Sequence, residues 1–323
     1  MYPAGPARHP REPPLWGSAR PLPSVGPVSQ PFRFSGVYVA TTTPFDEAGA
    51  LDLDQFQAHC ARLAADGVAG LVPVGSLGEY EALGEDERAA VVKAARDAVP
   101  GSRWSPACPA SGGREARRWA EHAREADCPA VMYVPPTSHA PRPDEVVAHF
   151  GEVAQAGPPI IAYNNPYSTR VDLTPALLGR LSAEVEKVVA VKEFFQDVRR
   201  VAAIRQAAPR LEVICGCDDT LAEAVLMGAT AWIAGFANAF PRQSVQLFDL
   251  CAAGNRTMPW TGIWRSSPSC AGTPIPAASR LSRWPKRKWA GAAAPFACLA
   301  WPLASRRQTR CEPQSASSWC SVS

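Results

Sequence analysis

Two apolar segments decide the fold that this sequence predicts: Pro159-Ile160-Ile161-Ala162-Tyr163-Asn164-Asn165-Pro166 and Val188-Val189-Ala190-Val191-Lys192-Glu193. Each has the length of a buried strand, and each places one ionisable side chain at its C-terminal end, the phenol of Tyr163 or the amine of Lys192. The C-terminal ends of the strands share one rim in a parallel barrel. We therefore expect Tyr163 and Lys192 to meet at that rim.

The lysine that ends a run of valines is chemically unusual. Burying an ammonium group costs several kcal/mol unless the group is paired or loses its proton. A neutral amine at Lys192 can attack a carbonyl carbon, and the phenol of Tyr163 can relay protons to the adduct. Taken alone, the two residues also fit a simpler interpretation, in which the lysine extends out of a strand end and the tyrosine fills core space.

Strand and helix patterns alternate from Phe34 to Gly254, and they form eight strand and helix pairs. This alternation predicts an α/β protein with a (β/α)8 TIM barrel rather than a doubly wound sheet. The active site of such a barrel lies at the C-terminal strand ends. Three further strand ends carry polar or glycine-rich turns, namely 75–79, 216–219 and 235–238. The pair Asp218-Asp219 fits a helix N-cap, and Gly235 to Asn238 is expected to line the barrel mouth.

Charge is distributed unevenly along the 323 residues, although the whole chain carries a formal charge of only +3. From Asn255 onward there are ten Lys or Arg residues and a single acid, Glu312, so the part before Asn255 is acidic. An acidic body gives no reason to expect a nucleic-acid partner. No apolar run approaches the roughly 18 residues of a membrane span, so we expect no membrane partner.

The cysteines show no C-x2-C spacing, so no metal site is predicted. Cys215-Gly216-Cys217 fits either a redox pair or, more simply, small core thiols beside a turn. The chain has no convincing signal peptide and no disulfide framework, which together predict a reducing, cytoplasmic location.

Both ends of the chain differ in composition from the barrel at 34–254. Residues 1–33 contain nine prolines between Pro3 and Pro31, which predicts a disordered segment. Residues 255–323 contain six of the ten tryptophans, many Ser, Pro and Arg residues, and no helical or strand period. Such a composition is typical of a GC-rich gene translated out of frame, and it predicts an irregular basic tail. A basic nucleic-acid-binding arm is the competing interpretation of these residues.

Four motifs occur in a characteristic order: Gly75-Ser76-Leu77-Gly78-Glu79, Tyr163-Asn164-Asn165-Pro166, Val191-Lys192-Glu193 and Gly216-x-Asp218-Asp219. In this order and spacing, from about Gly36 to Gly254, the chain resembles the dihydrodipicolinate synthase and N-acetylneuraminate lyase family. Members of that family continue with helices packed on the barrel, where this chain has its basic tail.

The resemblance implies a role for each matching residue. Lys192 would form a Schiff base with pyruvate or another 2-oxo acid, and Tyr163 would be the proton relay. The remaining matches would bind the substrate. Ser76 and Leu77 would contact its carboxylate, and the backbones of Gly216 and Ile233 would contact the rest of the keto acid. The family uses no cofactor, and its members are usually homotetramers or dimers.

The substrate implied by the resemblance depends on where the motifs differ from the founding synthase. That enzyme has an arginine two residues after the proline of the tyrosine motif, where this chain has Ser168, followed by Arg170. It also has a tyrosine pair after strand four, which is replaced here by residues 135–138. Three features more closely resemble 4-hydroxy-1-pyrroline-2-carboxylate deaminases and 2-keto-3-deoxy sugar acid dehydratases: the Asn164-Asn165-Pro166 run, the Asp218-Asp219 pair and the segment 235–242.

The sequence therefore predicts a Schiff-base-forming lyase that acts on a 2-oxo acid or a cyclic imine acid, as a catabolic dehydratase, deaminase or aldolase. Two alternatives remain open. One is a 4-hydroxy-tetrahydrodipicolinate synthase. The other is an inactive, truncated barrel encoded by a frameshifted gene.

Overall fold

A computed structural model describes residues 33–99, 103–104, 113–137 and 140–254. The predicted irregular tail at 255–323 lies outside these residues, as does the predicted disordered segment at 1–33 apart from Arg33. For residues 103–104 the description is limited to the backbone.

Strands and helices alternate along the described part of the chain as the sequence predicts, except that two helices, one of them a short turn that the sequence did not predict, follow the fifth strand. The strands are β1 Gly36–Ala40, β2 Gly70–Val72, β3 Arg103–Trp104, β4 Val131–Tyr133, β5 Ile160–Asn164, β6 Val188–Glu193, β7 Glu212–Cys215 and β8 Ala231–Ala234. The helices are α1 Leu53–Ala65, α2 Glu85–Ala98, α3 Gly113–Glu125, α4 Pro143–Ala156, α5 Pro166–Thr169, α6 Pro175–Glu184, α7 Arg199–Ala207, α8 Leu221–Leu226 and α9 Pro241–Ala252.

All recorded strand pairs are parallel, and the eight strands form one sheet in the order β3-β2-β1-β8-β7-β6-β5-β4. The first strand pairs with the last, which brings the two ends of the alternation together as a barrel requires. The predicted (β/α)8 barrel is thus confirmed. No helix in the described ranges is long and apolar enough to cross a bilayer.

The core has two layers because successive strand residues point to opposite faces. On β1, Val37 and Val39 pack in the layer between the sheet and the helices, together with helix residues such as Phe56 and Leu63. The intervening Tyr38 is 1% exposed and is not part of that layer, so it fills the barrel interior. The strand residues that point into the barrel interior, as Tyr38 does, are the ones that line the mouth.

An irregularity in β6 decides which way Lys192 points. Ile160 of β5 pairs with Val188, but the next pair is Ile161 with Ala190, so Val189 is an extra residue. Val188 and Val191 both belong to the helix-facing layer, although they lie three residues apart. Strict alternation from Val188 would turn Lys192 toward the helices. The bulge reverses the alternation of side chains along β6, so Lys192 points into the barrel.

Two mid-helix glycines offer a matched test of this packing. A Cβ added to Gly179 of α6 would lie 2.8 Å from the carbonyl oxygen of Ala207, whereas a Cβ on Gly151 of α4 would meet nothing within 4 Å. We expect Gly179→Ala to lower the free energy of unfolding by about 1–3 kcal/mol through overpacking. Gly151→Ala should raise it by about 0.5–1 kcal/mol because alanine loses less entropy in a helix. Urea unfolding of both variants checks this, and a stable Gly179→Ala would contradict the close packing of α6 on α7.

Candidate active site

The phenol and the amine that the sequence singled out lie side by side at the C-terminal ends of β5 and β6. Tyr163 is the register partner of Lys192, and the Lys192 Nζ atom lies 4.2 Å from the centroid of the Tyr163 ring. The two residues are 8% and 6% exposed, respectively. Among the described residues Lys192 forms no salt bridge, so its nitrogen is buried in the mouth without a carboxylate partner within ion-pair distance.

Gly216 supports Lys192 from the neighbouring strand end. Its N–H donates to the carbonyl oxygen of Glu193 over 2.9 Å. An added Cβ would lie 2.8 Å from that same oxygen and 3.2 Å from the Lys192 Cε atom, so any larger residue would push against the lysine side chain. Ile233 is on β8, is 1% exposed, and pairs with Tyr38 of β1.

Ser76 and Leu77 occupy a turn after β2 that is held in an unusual conformation. Val74 and Glu79, at either side of them, have positive φ angles of 51° and 56°, a region that β-branched residues rarely adopt. The turn is fixed by the Thr43 hydroxyl, which donates to the Gly78 carbonyl oxygen over 2.9 Å. Both Ser76 and Leu77 are exposed, and a Cβ on Gly235 at the end of β8 would lie 2.9 Å from Leu77 Cδ1. The turn therefore approaches the end of β8.

Asn165 adds a functional group that the sequence analysis did not assign. Its Nδ2 atom donates a hydrogen bond to the Tyr163 phenolic oxygen over 3.1 Å. The side chain is 6% exposed, and its Oδ1 atom has no hydrogen-bond partner. The only signal in the sequence was its place in the tyrosine motif, where asparagine also fits an ordinary turn.

A polar clamp outside the barrel fixes the strands that carry the pair. Asn164 and Glu193 each lie one residue beyond the pair. The Asn164 Nδ2 atom donates to both carboxylate oxygens of Glu193, over 2.9 and 3.1 Å. Glu193 also accepts from the Phe195 N–H over 2.8 Å and from the Arg200 Nε atom over 3.3 Å. Burial raises the pKa of the Glu193 carboxyl, while Arg200 and Asn164 oppose the shift. The clamp joins the C-terminal ends of β5 and β6 to α7.

The prediction that Asp218 is a helix N-cap is corrected by the structure. One of its carboxylate oxygens accepts from the Trp232 Nε1 atom over 3.0 Å and from the Gly235 N–H over 3.3 Å, and the other accepts from the Phe236 N–H over 3.0 Å. The carboxylate thus ties the end of β7 to the end of β8 instead of capping a helix. Burial raises the pKa of the Asp218 carboxyl, and these three donors, together with the charge of Lys192, oppose the shift.

Asn238 likewise has a structural connection that the sequence did not predict. Its Nδ2 atom donates to the Ala40 carbonyl oxygen over 2.7 Å and to the Gly235 carbonyl oxygen over 2.9 Å. Its Oδ1 atom lies 3.0 Å from the His59 Nε2 atom on α1. The side chain therefore holds the ends of β1 and β8 together.

Cys215 and Cys217 behave as core thiols. Both are buried, and burial raises the pKa of each thiol to about 12. The Cys215 Sγ atom donates to the Cys217 carbonyl oxygen over 3.2 Å. Thiols with such a pKa stay protonated at neutral pH, which disfavours thiolate chemistry at this turn.

Removal of the clamp should cost stability. Asn164→Ala leaves the buried Glu193 carboxylate short of two hydrogen bonds and the Leu173 N–H without its acceptor, the Asn164 Oδ1 atom. We expect the free energy of unfolding to fall by about 2–4 kcal/mol in urea titrations. Thr174→Ala, which removes only the cap of α6, is the control and should cost about 1 kcal/mol. Equal losses in the two variants would argue against the clamp.

The buried Asp218 carboxyl should leave a signature in the pH dependence of stability. A carboxyl whose folded-state pKa lies above its unfolded value of about 3.9 stabilises the fold at low pH. That contribution is lost as the pH rises through the folded-state pKa, because the folded state then gives up a proton it bound more tightly. In Asp218→Asn this fall in the free energy of unfolding with pH should be shallower than in the wild type. Parallel curves above about pH 4 would contradict it.

Comparison with known proteins identifies the family. The family model described as the dihydrodipicolinate synthetase family matches residues 33–259. A 4-hydroxy-tetrahydrodipicolinate synthase from Methanothrix thermoacetophila is 32% identical over 230 residues, which cover 69% of this chain and 76% of the relative. The synthase from Natronomonas pharaonis is 33% identical over 227 residues, covering 69% of this chain and 77% of the relative.

Solved structures agree with this match. A prophage protein of the dihydrodipicolinic acid synthase family from E. coli K12, in complex with pyruvate, has a TM-score of 0.66 at 28% identity, covering 69% of this chain and 76% of that one. The dihydrodipicolinate synthase from Acinetobacter baumannii, also complexed with pyruvate, has a TM-score of 0.67 at 27% identity, covering 69% and 77%. The fold and the match along the chain define a class of barrel lyase that uses a lysine Schiff base. The chain belongs to the dihydrodipicolinate synthetase family.

Proposed function

We propose that the protein forms a Schiff base between Lys192 and a 2-oxo acid, and that it works as a dehydratase, deaminase or aldolase in the breakdown of that acid. The observation that carries the proposal is the buried Lys192 amine, 4.2 Å from the Tyr163 ring centroid and without an ion-pair partner among the described residues. Pyruvate in two related crystal structures supports a 2-oxo acid as the electrophile.

The chemistry follows from the amine. The Lys192 nitrogen attacks C2 of the 2-oxo acid, the carbonyl oxygen leaves as water, and an iminium forms. The iminium draws electrons from C3, so a proton can leave C3 to give an enamine. From there a hydroxyl or amino group on C4 can depart. Alternatively, deprotonation of a C4 hydroxyl breaks the bond between C3 and C4.

The surrounding residues have distinct tasks in this proposal. The Tyr163 phenol carries the proton between substrate carbon and leaving group, because it lies against the amine. Ser76 and the Leu77 N–H bind the substrate carboxylate from the exposed turn after β2. The backbones of Gly216 and Ile233 frame the keto acid. Gly216 suits this task because it leaves room against the Lys192 Cε atom.

The breakdown activity is favoured over synthesis by the residues that follow Tyr163. Ser168, at the place where the founding synthase has an arginine for a second carboxylate, is a neutral side chain whose Oγ atom lies 3.5 Å from the Asn165 carbonyl oxygen. Asn165 places an amide against Tyr163. A neutral, hydrogen-bonding surface suits a hydroxylated chain better than a second carboxylate.

A 4-hydroxy-tetrahydrodipicolinate synthase is the second candidate. It is favoured by the two relatives described above, which carry that name at 32% and 33% identity. Product analysis separates it from the first candidate, because a synthase consumes pyruvate in a condensation whereas the first candidate breaks down a longer 2-oxo acid. We also propose that the chain works in the cytoplasm as a homo-oligomer, which analytical ultracentrifugation of the purified chain would test.

Borohydride trapping tests the shared first step. Incubation with pyruvate followed by reduction should add the mass of one reduced pyruvate to the peptide that contains Lys192, because only an iminium is fixed by the reagent. Lys192→Met should abolish the adduct, whereas Lys93→Met on the exposed face of α2 should leave it unchanged. Tyr163→Phe should slow its formation about 10²- to 10⁴-fold through loss of the proton relay.

A folded wild-type chain without any adduct would overturn the proposal. That outcome would favour the remaining interpretation, an inactive barrel, and sequencing the DNA that encodes residues 255–323 would then show whether a frameshift explains it. Circular dichroism of the same sample supplies the control for folding.

A further inference from the structure

Asn165 combines two features that an ordinary turn asparagine lacks. It is the residue before α5, where an asparagine side chain commonly accepts a hydrogen bond from the helix N-terminus. Here it makes no such bond, and its φ and ψ angles of −139° and 74° direct the chain into the turn without it. The backbone carbonyl of Asn165 does the local work instead, accepting from the N–H groups of Ser168 and Thr169 over 3.1 and 3.0 Å.

The side chain of Asn165 therefore makes no bond within the turn, and its contact is with Tyr163 at the mouth. Nδ2 donates to the phenolic oxygen of Tyr163 over 3.1 Å. Oδ1 is enclosed with the rest of a side chain that is only 6% exposed, and it has no partner. An unsatisfied buried acceptor is costly, and such groups recur where a ligand completes the hydrogen bonding.

The neighbouring Asn164 provides an internal comparison. It is 0% exposed, yet its Oδ1 atom accepts from the Leu173 N–H over 2.9 Å and its Nδ2 atom donates to Glu193. Of the two adjacent amides, the one on the helix side is satisfied by the protein, and the one beside Tyr163 has an acceptor left over.

We infer that Asn165 is a catalytic residue that binds the C4 hydroxyl of the substrate, so that the enzyme selects 4-hydroxy-2-oxo acids, open or closed to cyclic imines, over 2-oxo acids without that hydroxyl. This inference rests on the proposed function. The substrate hydroxyl donates to Asn165 Oδ1, and its own oxygen accepts from the Tyr163 phenol. The Nδ2 donor already in place holds the phenolic oxygen, leaving the phenolic proton directed at the substrate.

The elimination that this arrangement supports is balanced. The bond from C3 to hydrogen and the bond from C4 to oxygen break, and a double bond forms between C3 and C4. Tyr163, as the phenolate, takes the proton from C3 and, then a phenol, passes it to the C4 hydroxyl, which leaves as water and restores the phenolate. Asn165 Nδ2 stabilises the negative charge on the phenolic oxygen before the first transfer and after the second. No oxidant or reductant takes part.

The first test needs no variant. Wild-type protein is trapped with borohydride at a series of concentrations of 4-hydroxy-2-oxobutanoate and, separately, of 2-oxobutanoate, which differs only in the hydroxyl. The hydroxylated acid should reach half-maximal adduct at a concentration about 10- to 100-fold lower. Equal concentrations for the two acids would overturn the inference.

The second test uses Asn165→Leu, which keeps the shape of the side chain and removes both polar atoms. Turnover of 4-hydroxy-2-oxobutanoate should fall about 10- to 100-fold, and the preference between the two acids in trapping should vanish. Lys93→Met on the exposed face of α2 is the control, and it should retain the preference because Lys93 lies outside the mouth. A preference that persists in Asn165→Leu would overturn the role of this amide.

Failure of the inference is distinguishable from failure of the proposed function. If wild type gives no adduct on Lys192 with pyruvate, the Schiff base itself is wrong and Asn165 has nothing to select. If pyruvate is trapped but the two longer acids behave alike, the Schiff base holds and the hydroxyl selection is wrong. Should Asn165→Leu not fold, the wild-type comparison of the two acids still decides.

Discussion

The site depends on the alignment of β5 with β6. Parallel pairing makes Tyr163 the register partner of Lys192, and the next pair, Asn164 and Glu193, is joined by side-chain hydrogen bonds. The extra residue at Val189 ensures that Lys192 faces the barrel interior while Glu193 faces α7. A buried amine inside and a carboxylate outside are therefore consequences of one register.

Partly and fully buried polar groups connect neighbouring strand ends at the mouth of the barrel. Glu193 joins β6 to β5 and α7, Asp218 joins β7 to β8, and Asn238 joins β8 to β1. Buried polar groups are costly unless satisfied, so a connected set of this kind fixes the strand ends rigidly. Rigid strand ends suit a site whose chemistry needs an amine and a phenol held within a few ångströms.

In the proposed function, the groups without a partner in the protein are the part of the mouth that contacts substrate. Lys192 has no ion-pair partner among the described residues, and the Asn165 Oδ1 atom has no hydrogen-bond partner. Ser76 and Leu77 are exposed on a turn with two strained residues beside them. Strain and unmet hydrogen bonding are stable here because the clamped strand ends surround them.

The sequence by itself determined the barrel, the pairing of Tyr163 with Lys192 and the family. Apolar runs of strand length alternating with amphipathic helices permit few other folds, and residues at successive strand ends must share a rim. Only the tertiary structure decided the direction of Lys192, since a bulge changes the alternation without any mark in the apolar pattern. It also decided the hydrogen-bond partners of Asn165, Asp218 and Asn238. A polar residue in a turn can cap, clamp or bind, and the choice depends on partners that lie elsewhere in the chain, such as Trp232 for Asp218.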